Sequence, residues 1–180
     1  APGASGGDRI TFLFTPNPGE PLKPLTETAS GGEMSRFLLA IKSCFSQADT
    51  VGTLIFDEID VGVSGRVAAA IAEKLHQLSY HHQVLCVTHQ PLIAAMADCH
   101  FRVDKQAIAT DAVTTDSVRT VVRVSALDDI LTRRQELAQL AGGQYAAEAI
   151  AWAESLLTQA ASRRQPFQTE ATNGKNLNNS

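Results

Sequence analysis

Two adjacent carboxylates, Asp57 and Glu58, directly follow a short apolar run at 53–56. An apolar run without alternation is typical of a strand covered on both faces, as in the parallel sheets of α/β proteins. Ligands of such sheets bind at the carboxyl ends of the strands, so chemistry is expected here. One carboxylate suits Mg²⁺ held together with a phosphate, and the next suits a general base acting on water. The alternative is a strand that ends in a solvated acidic turn.

A second motif is Ser-Gly-Gly-Glu at residues 30–33. Ser30 followed by Glu33, just before an apolar helical pattern, predicts a capping box at a helix N-terminus. The cap does not explain Gly31 and Gly32, since each glycine costs about 1 kcal/mol relative to alanine inside a helix. Glycines there let a ligand approach the backbone, and a helix N-terminus favours an anion such as phosphate. Both interpretations of this motif, a helix cap and an anion-binding site, therefore remain open.

The third candidate is His89, which follows the next apolar strand along the chain. A histidine at that strand end can hydrogen-bond a phosphate oxygen or an attacking water. The alternative is a histidine satisfied by the local backbone. Between the two strands lies the turn 60–65, Asp-Val-Gly-Val-Ser-Gly, whose glycines allow unusual backbone angles and whose Ser64 can cap the following helix.

The elements that must position these residues follow from the spacing of apolar residues. Loops are predicted at 16–28 and 105–116, and strands at 9–15, 51–56, 83–88, 100–104 and 118–124. Helices are predicted from Ser30 to about Phe45 and at 64–79, 91–97, 127–140 and 146–161. The order strand–helix–strand–helix–strand predicts an α/β fold with a mainly parallel sheet flanked by helices.

The composition and charge of the chain argue against several classes of function. The 180 residues suit one domain, and the formal net charge of −4 argues against a basic DNA-binding surface within this chain. No apolar run approaches the roughly 18 residues that a membrane span requires, so no membrane partner is expected. Cys44 and Cys86 fall in apolar segments and are predicted to be buried, and the spacing of the three cysteines does not match a structural zinc site.

Taken in order, these motifs resemble the C-terminal half of the head of an ATP-binding-cassette ATPase. In detail they resemble the SMC-like branch, and within it the RecN-type family of DNA repair ATPases. The resemblance covers about residues 8–160, and the matching stretches are 17–22, 29–36, 55–65, 87–91 and 134–138 with 142–143. A transporter subunit would usually show Pro-Thr-Ser after the two carboxylates, where this chain has Ile-Asp-Val.

The resemblance implies a role for each matching residue. Asp57 would hold Mg²⁺, Glu58 would polarise the attacking water, and His89 would be the switch histidine near the γ-phosphate of ATP. The remaining matches would bind the ATP carried by the opposite head of a homodimer, or lie in the D-loop across that interface: Ser30, Gly31, Gly32, Glu33, Asp60 and Ser64. ATP and Mg²⁺ are thus the implied cofactors.

The sequence also departs from the family pattern, because no G-x-x-x-x-G-K-[ST] loop occurs in it. We therefore expect a fragment with a linker at 1–8, the C-terminal lobe of a P-loop NTPase head at 9–162, and a disordered tail at 163–180. Its partners would be the N-terminal half that carries Walker A, a second head, and DNA through the full-length protein. That protein would be an ATP hydrolase of the bacterial cytoplasm, associated with the nucleoid, and the isolated chain would be inactive.

Two alternatives remain open from the sequence. A stand-alone metal-dependent phosphoesterase would use Asp57, Glu58 and His89, with Asp60 and Asp98 as the nearby candidates for the additional carboxylates of two-metal chemistry. A non-catalytic dimerisation module would use the same surface without turning over a substrate.

Overall fold

The computed structural model describes residues 3, 6–8, 10–15, 18–109, 118–143 and 147–164. The chain divides into two compact units, 1–93 and 94–180. From residue 165 onward the predicted tail lies outside the described residues, and of the predicted linker only residues 3 and 6–8 are described.

The first unit opens with a small antiparallel pair and a short helix. Their bounds are β1 Leu13–Phe14, β2 Lys23–Pro24 and α1 Leu25–Thr28. The predicted loop at 16–28 is wrong over its second half, and the predicted strand at 9–15 is shorter, with residue 9 outside the described residues. The backbone N–H of Leu25 donates to the Phe12 carbonyl at 2.9 Å, and Leu25 is buried. This tertiary contact explains why a polar, proline-rich segment is ordered here.

The rest of the first unit follows the predicted order closely. Its elements are α2 Gly31–Phe45, β3 Thr53–Phe56, α3 Gly65–Leu78, β4 Gln83–Cys86 and the start of α4, Pro91–Met96. Helix α3 packs against α2 and β4. Its buried residues recur at the three- and four-residue steps of one helical face, and they are Ala68, Ile71, Ala72, Leu75 and Leu78.

Strands β3 and β4 form a parallel pair that runs in register from Thr53 opposite Gln83 to Phe56 opposite Cys86. Both strands therefore end at the same edge, which brings the segments after residues 56 and 86 together. The pattern along β3 alternates, with Leu54 and Phe56 buried and Ile55 65% exposed. The sheet is thus covered on one face by the described residues, and the two-sided cover expected from the apolar run is not observed.

The second unit contains a long hairpin and two helices. Their bounds are β5 Phe101–Ala109, β6 Val118–Ala126, α5 Ile130–Leu140 and α6 Ala147–Arg163. Strand β5 runs five residues beyond its predicted end at 104, and the remainder of the predicted loop, 110–116, lies outside the described residues. Helix α5 begins at Ile130 because Asp129 Oδ2 accepts hydrogen bonds from the N–H groups of Leu131 and Thr132, both at 3.1 Å.

The predicted α/β class is confirmed, as a mixed fold with small sheets. Within the described residues, β3 and β4 are the one parallel pair, and the other two sheets are antiparallel. Strand β5, which the element order places third in a parallel sheet, pairs with β6 instead. Residues 110–117 separate the two strands, and this is shorter than the connection of roughly a dozen residues or more that a parallel pair needs, so antiparallel pairing is expected.

Candidate functional site

The acidic turn begins where β3 ends. Asp57 and Glu58 are both exposed, and Asp57 Oδ1 accepts a hydrogen bond from the Glu58 N–H at 2.9 Å. Glu58 has a φ of 57°, and it is the non-glycine residue with positive φ in the described part of the chain. Left-handed backbone at a residue with a Cβ costs about 1–2 kcal/mol, so surrounding contacts must hold this turn.

The N-terminus of helix α2 carries the predicted capping box, which is confirmed. Ser30 Oγ accepts from the Glu33 N–H at 3.3 Å, and the Ser30 N–H donates to Glu33 Oε2 at 2.8 Å. Hydrogen bonds from the Ser30 backbone and then from its hydroxyl hold the pKa of Glu33 below its ordinary value. The carboxylate of Glu33 therefore serves the cap.

The two glycines after Ser30 lie against the acidic turn. A Cβ atom on Gly31 would overlap Glu58 Oε2, and one on Gly32 would lie 2.8 Å from the Glu58 carbonyl oxygen. A larger residue at position 32 would meet a backbone atom, whereas one at position 31 would meet the end of a flexible side chain. The close approach that the sequence predicted is made by Glu58 itself.

Two side chains of α2 fix the turn from the helix side. Ser35 Oγ donates to the Asp57 carbonyl at 2.7 Å. Arg36 Nη1 donates to the carbonyls of Ile59 and Val61 at 3.2 and 3.0 Å. These bonds satisfy backbone acceptors of an irregular segment, which explains how the turn is held in an unfavourable conformation.

Asp60 is buried, with 2% of its surface exposed, and its Oδ2 faces the end of strand β4. It accepts from Thr88 Oγ1 at 2.5 Å and from the His89 N–H at 2.9 Å, and His89 Nδ1 lies 3.2 Å away. Burial raises the pKa of this carboxyl, but the hydrogen bonds from Thr88 and His89 outweigh it, and the pKa lies below its ordinary value.

The segment after β4 is tied to the turn by further bonds. The Val87 N–H donates to the Phe56 carbonyl at 2.9 Å, and Gln90 Nε2 donates to the Val63 carbonyl at 3.2 Å. The imidazole of His89 remains 68% exposed. The structure therefore brings His89 to the acidic turn, through Asp60 and Gln90, while leaving the ring open to a ligand.

Cys86, the last residue of β4, lies near the carboxylates of the acidic turn. Burial raises the pKa of its thiol to about 12, with smaller contributions from the carboxylates of Asp60 and Asp57. Cys44 was predicted to be buried, and this is wrong, since it is exposed near the C-terminus of α2.

Ser64 occupies the N-cap position of α3, but its side chain makes no cap hydrogen bond, so it remains exposed at the end of the turn. Gly62 and Gly65 on either side have positive φ, 72° and 53°, as their residue type allows.

The donor set fits Mg²⁺ bound together with a phosphate. In the described ranges no group of three or more histidine, cysteine, aspartate or glutamate residues is arranged to hold a metal ion. Asp57 Oδ1 is engaged by the Glu58 N–H, and Oδ2 is the oxygen available to an ion. A single carboxylate with water and phosphate oxygens is the usual magnesium environment in nucleotide sites.

Comparison with known proteins gives consistent matches. The chain is 57% identical over 175 residues to the DNA repair protein RecN of Synechocystis, which covers 93% of this chain and 30% of that protein. It is 46% identical over 165 residues to RecN of Treponema pallidum, covering 91% of this chain and 27% of that protein. It is 58% identical over 101 residues to RecN of Bacillus subtilis, covering 56% and 18%.

The chain belongs to the RecN family. The resemblance inferred from the motifs is thereby confirmed. No family model matches the chain. The chain spans about a third or less of the length of these RecN proteins and matches their C-terminal part. Among the described residues, no helix of this RecN chain is long and apolar enough to cross a bilayer.

Sequence reasoning missed four residues of this candidate site: Ser35, Arg36, Thr88 and Gln90. Arg36 carries a signal that could have been used, since it is a charged residue in the first two turns of a helix whose neighbours Phe37 and Leu38 are apolar. Thr88 falls within the strand predicted at 83–88, and the apolar pattern of that strand does not single it out. Neither spacing nor residue type alone shows which backbone carbonyl or carboxylate such side chains contact.

Proposed function

We propose that this chain is the C-terminal lobe of a RecN-type ATPase head, a P-loop NTPase fold without its Walker A half. We further propose that the complete protein acts in recombinational repair of DNA double-strand breaks. The similar proteins are DNA repair proteins, which supports the repair role. The observation that carries the proposal is structural: Arg36 and Asp60 join the α2 tip, the acidic turn and the His89 segment into one site.

Three side chains are assigned to the reaction. Asp57 would hold Mg²⁺, Glu58 would polarise the attacking water, and His89 would contact the γ-phosphate or that water. Mg²⁺, when bound, would supply the charge neutralisation that phosphoryl transfer from ATP requires. The protein's share is electrostatic positioning, with the helix N-terminus and the histidine directed at the transferring group.

The α2 tip and the loop 60–65 are assigned to the interface with a second head. Ser30 and Gly31 are exposed, with Gly32 beneath them, so an ATP carried by the other head can reach the tip. Glu33 supports this surface by holding the cap. Ser64 is exposed with its hydroxyl unused in capping, which fits a D-loop residue at the same interface.

The Walker A half is the first partner that the structure supports. The parallel pair β3–β4 exposes one apolar face, with Ile55 65%, Leu85 45% and Val87 62% exposed. Parallel sheets of α/β proteins are normally covered on both faces. We infer that the N-terminal half of the head covers this face and brings the phosphate-binding loop that the sequence lacks.

DNA contact is assigned to the remainder of the full-length protein, since this chain has a net charge of −4. The bacterial relatives and the repair role support action at the nucleoid in the cytoplasm.

Reconstitution tests the proposal. Phosphate release is measured with ATP and Mg²⁺ for the chain alone, for a Walker A half of RecN alone, and for their mixture, each repeated with chelator. We expect turnover only in the mixture with Mg²⁺, lowered by about 10²–10⁴-fold in Glu58→Gln. The control Glu148→Gln, an exposed glutamate at the start of α6, leaves turnover unchanged.

Two results would contradict the proposal. Hydrolysis of a phosphoester by the chain alone, lost in Glu58→Gln, would establish the phosphoesterase alternative. A stable complex of the two halves that never hydrolyses ATP would establish the non-catalytic dimerisation module.

A further inference from the structure

Asp60 differs from the turn residues that follow it because its carboxylate is buried while Val61 and Gly62 are exposed. A buried carboxylate is retained only where donors satisfy it. Here the donors come from one short segment, Thr88 and His89, at the end of the adjacent strand. The side chain therefore faces the interior of its own chain.

All three contacts are made to the same oxygen, Oδ2. The Thr88 hydroxyl and the His89 N–H donate to it, which fixes the backbone of residues 88 and 89 relative to the turn. The third contact is the ring nitrogen Nδ1 of His89, at 3.2 Å. The pKa of Asp60 lies below its ordinary value, so at neutral pH this oxygen is an ionised acceptor.

The Nδ1 contact determines where the proton of a neutral His89 ring lies. An unprotonated Nδ1 would place a nitrogen that carries a lone pair 3.2 Å from an anionic carboxylate oxygen, which is repulsive. A proton on Nδ1 makes the same contact attractive, and the partner of one ring nitrogen determines which nitrogen of a neutral imidazole carries the proton. Nε2 is then the unprotonated nitrogen of an imidazole that is 68% exposed.

We propose that Asp60 is a positioning residue for His89, holding the imidazole as the Nδ1–H tautomer so that Nε2 is the ring atom presented to ligand or water. This differs from the ligand-binding role that the family resemblance implied for Asp60. The statement that Nε2 meets the phosphate or the attacking water rests on the function proposed above. The tautomer itself does not, because it depends on contacts within this chain.

Nitrogen NMR of the imidazole rings tests the proposal without nucleotide. Long-range proton–nitrogen spectra of the ¹⁵N-labelled 180-residue chain are recorded at about pH 9, well above the ordinary histidine pKa of about 6.5. The chain has five histidines, and His89→Gln assigns the signals of interest. We expect a pyrrole-like Nδ1 and a pyridine-like Nε2 for His89.

Three variants separate positioning from mere folding. Asp60→Ala removes the acceptor, and His89 is expected to adopt the Nε2–H form that free histidine prefers in water. Asp60→Asn keeps an oxygen that can accept from Nδ1–H, so the Nδ1–H form is expected to be retained. Thr88→Val disturbs the same carboxylate without touching the ring, and the tautomer is expected to stay unchanged.

An Nε2–H tautomer in the wild-type chain would overturn the proposal. So would an Asp60→Ala chain that folds and still shows Nδ1–H; if that variant does not fold, the wild-type spectrum decides. An Nδ1–H tautomer, combined with hydrolysis in the reconstituted head that His89→Gln leaves unchanged, would uphold the positioning by Asp60. The same result would remove His89 from the proposed reaction.

Discussion

Glu58 Oε2 lies directly against Gly31, in the position that the Cβ atom of any other residue would occupy. The two residues are far apart in the sequence, yet their contact joins the acidic turn to the first turn of helix α2. The neighbouring contact is of a different kind, because Gly32 meets the backbone carbonyl of Glu58 and not a mobile side-chain atom. This difference separates the two glycines experimentally.

Alanine substitution is expected to affect the two glycines unequally. In Gly31→Ala the Glu58 carboxylate can rotate away, and the gain in helix propensity of about 1 kcal/mol offsets part of the cost. In Gly32→Ala the new Cβ lies 2.8 Å from a carbonyl oxygen and 3.3 Å from Val61 Cβ, so strain of about 1–3 kcal/mol is expected. Urea unfolding measures both, and an equal or greater loss in Gly31→Ala would contradict the geometry.

Removing the guanidinium of Arg36 is expected to loosen the acidic turn. Arg36→Ala leaves the carbonyl of fully buried Ile59 without this donor, which costs about 1–3 kcal/mol. Arg36→Lys keeps the charge but not the planar donor group, and an intermediate loss is expected. The matched control is Arg66→Ala at an exposed position of α3, expected within about 0.5 kcal/mol of the wild type by urea unfolding. Equal midpoints for Arg36→Ala and Arg66→Ala would refute the role of Arg36.

Asp60 is expected to make stability depend on pH on the acidic side. Since its pKa is lower in the folded chain than in the unfolded one, its stabilisation is present above the ordinary aspartate value of about 4. It is lost as the pH falls through the depressed folded value. For Asp60→Asn, the plot of unfolding free energy against pH should therefore be flatter over this acidic range.

Glu136 serves as the control for that measurement. Burial raises the pKa of its carboxyl, although Arg102 opposes the shift. The contribution of Glu136 to stability therefore depends on pH in the opposite direction. It is present below the ordinary glutamate pKa and is lost as the pH rises through the raised pKa of the folded chain. Glu136→Gln should leave the acidic loss in place, and a curve flattened equally by both variants would count against the assignment to Asp60.

Alkylation should distinguish Cys86 from the other two cysteines. With a pKa of about 12, its thiol is almost entirely protonated at pH 8, and only the thiolate reacts. Cys44 and Cys99 are exposed and should be modified first. Peptide mass spectrometry after brief iodoacetamide treatment is expected to show Cys86 modified roughly a hundredfold or more slowly, until urea unfolds the chain. Equal rates in the folded chain would show that the end of β4 is open.

The local parts of the site were predictable from sequence because local physics determines them. The capping box of Ser30 and Glu33 depends on residues three apart, and the strand before Asp57 ends where its apolar run ends. The long-range parts were not predictable in the same way. Arg36 meets carbonyls 23 and 25 residues away, and Asp60 meets a segment 28 residues away. Spacing and composition do not encode those partners.

The wrong predictions about the fold have the same physical origin. The segment at 23–28 was predicted as loop from its prolines, and the Leu25 contact with Phe12 orders it. The sequence predicts that strand β5 ends at Asp104 because polar residues follow. Its pairing with β6 nevertheless continues to Ala109. In both cases a tertiary partner overrode the local pattern.

The outer edges of the parallel pair β3–β4 have no further strand partner within the described residues. Open strand edges beside apolar side chains attract other chains by the same hydrogen bonds that build a sheet. A preparation of this polypeptide by itself should consequently self-associate as its concentration rises. Light scattering should fall when the polypeptide is co-expressed with a segment that can extend the sheet.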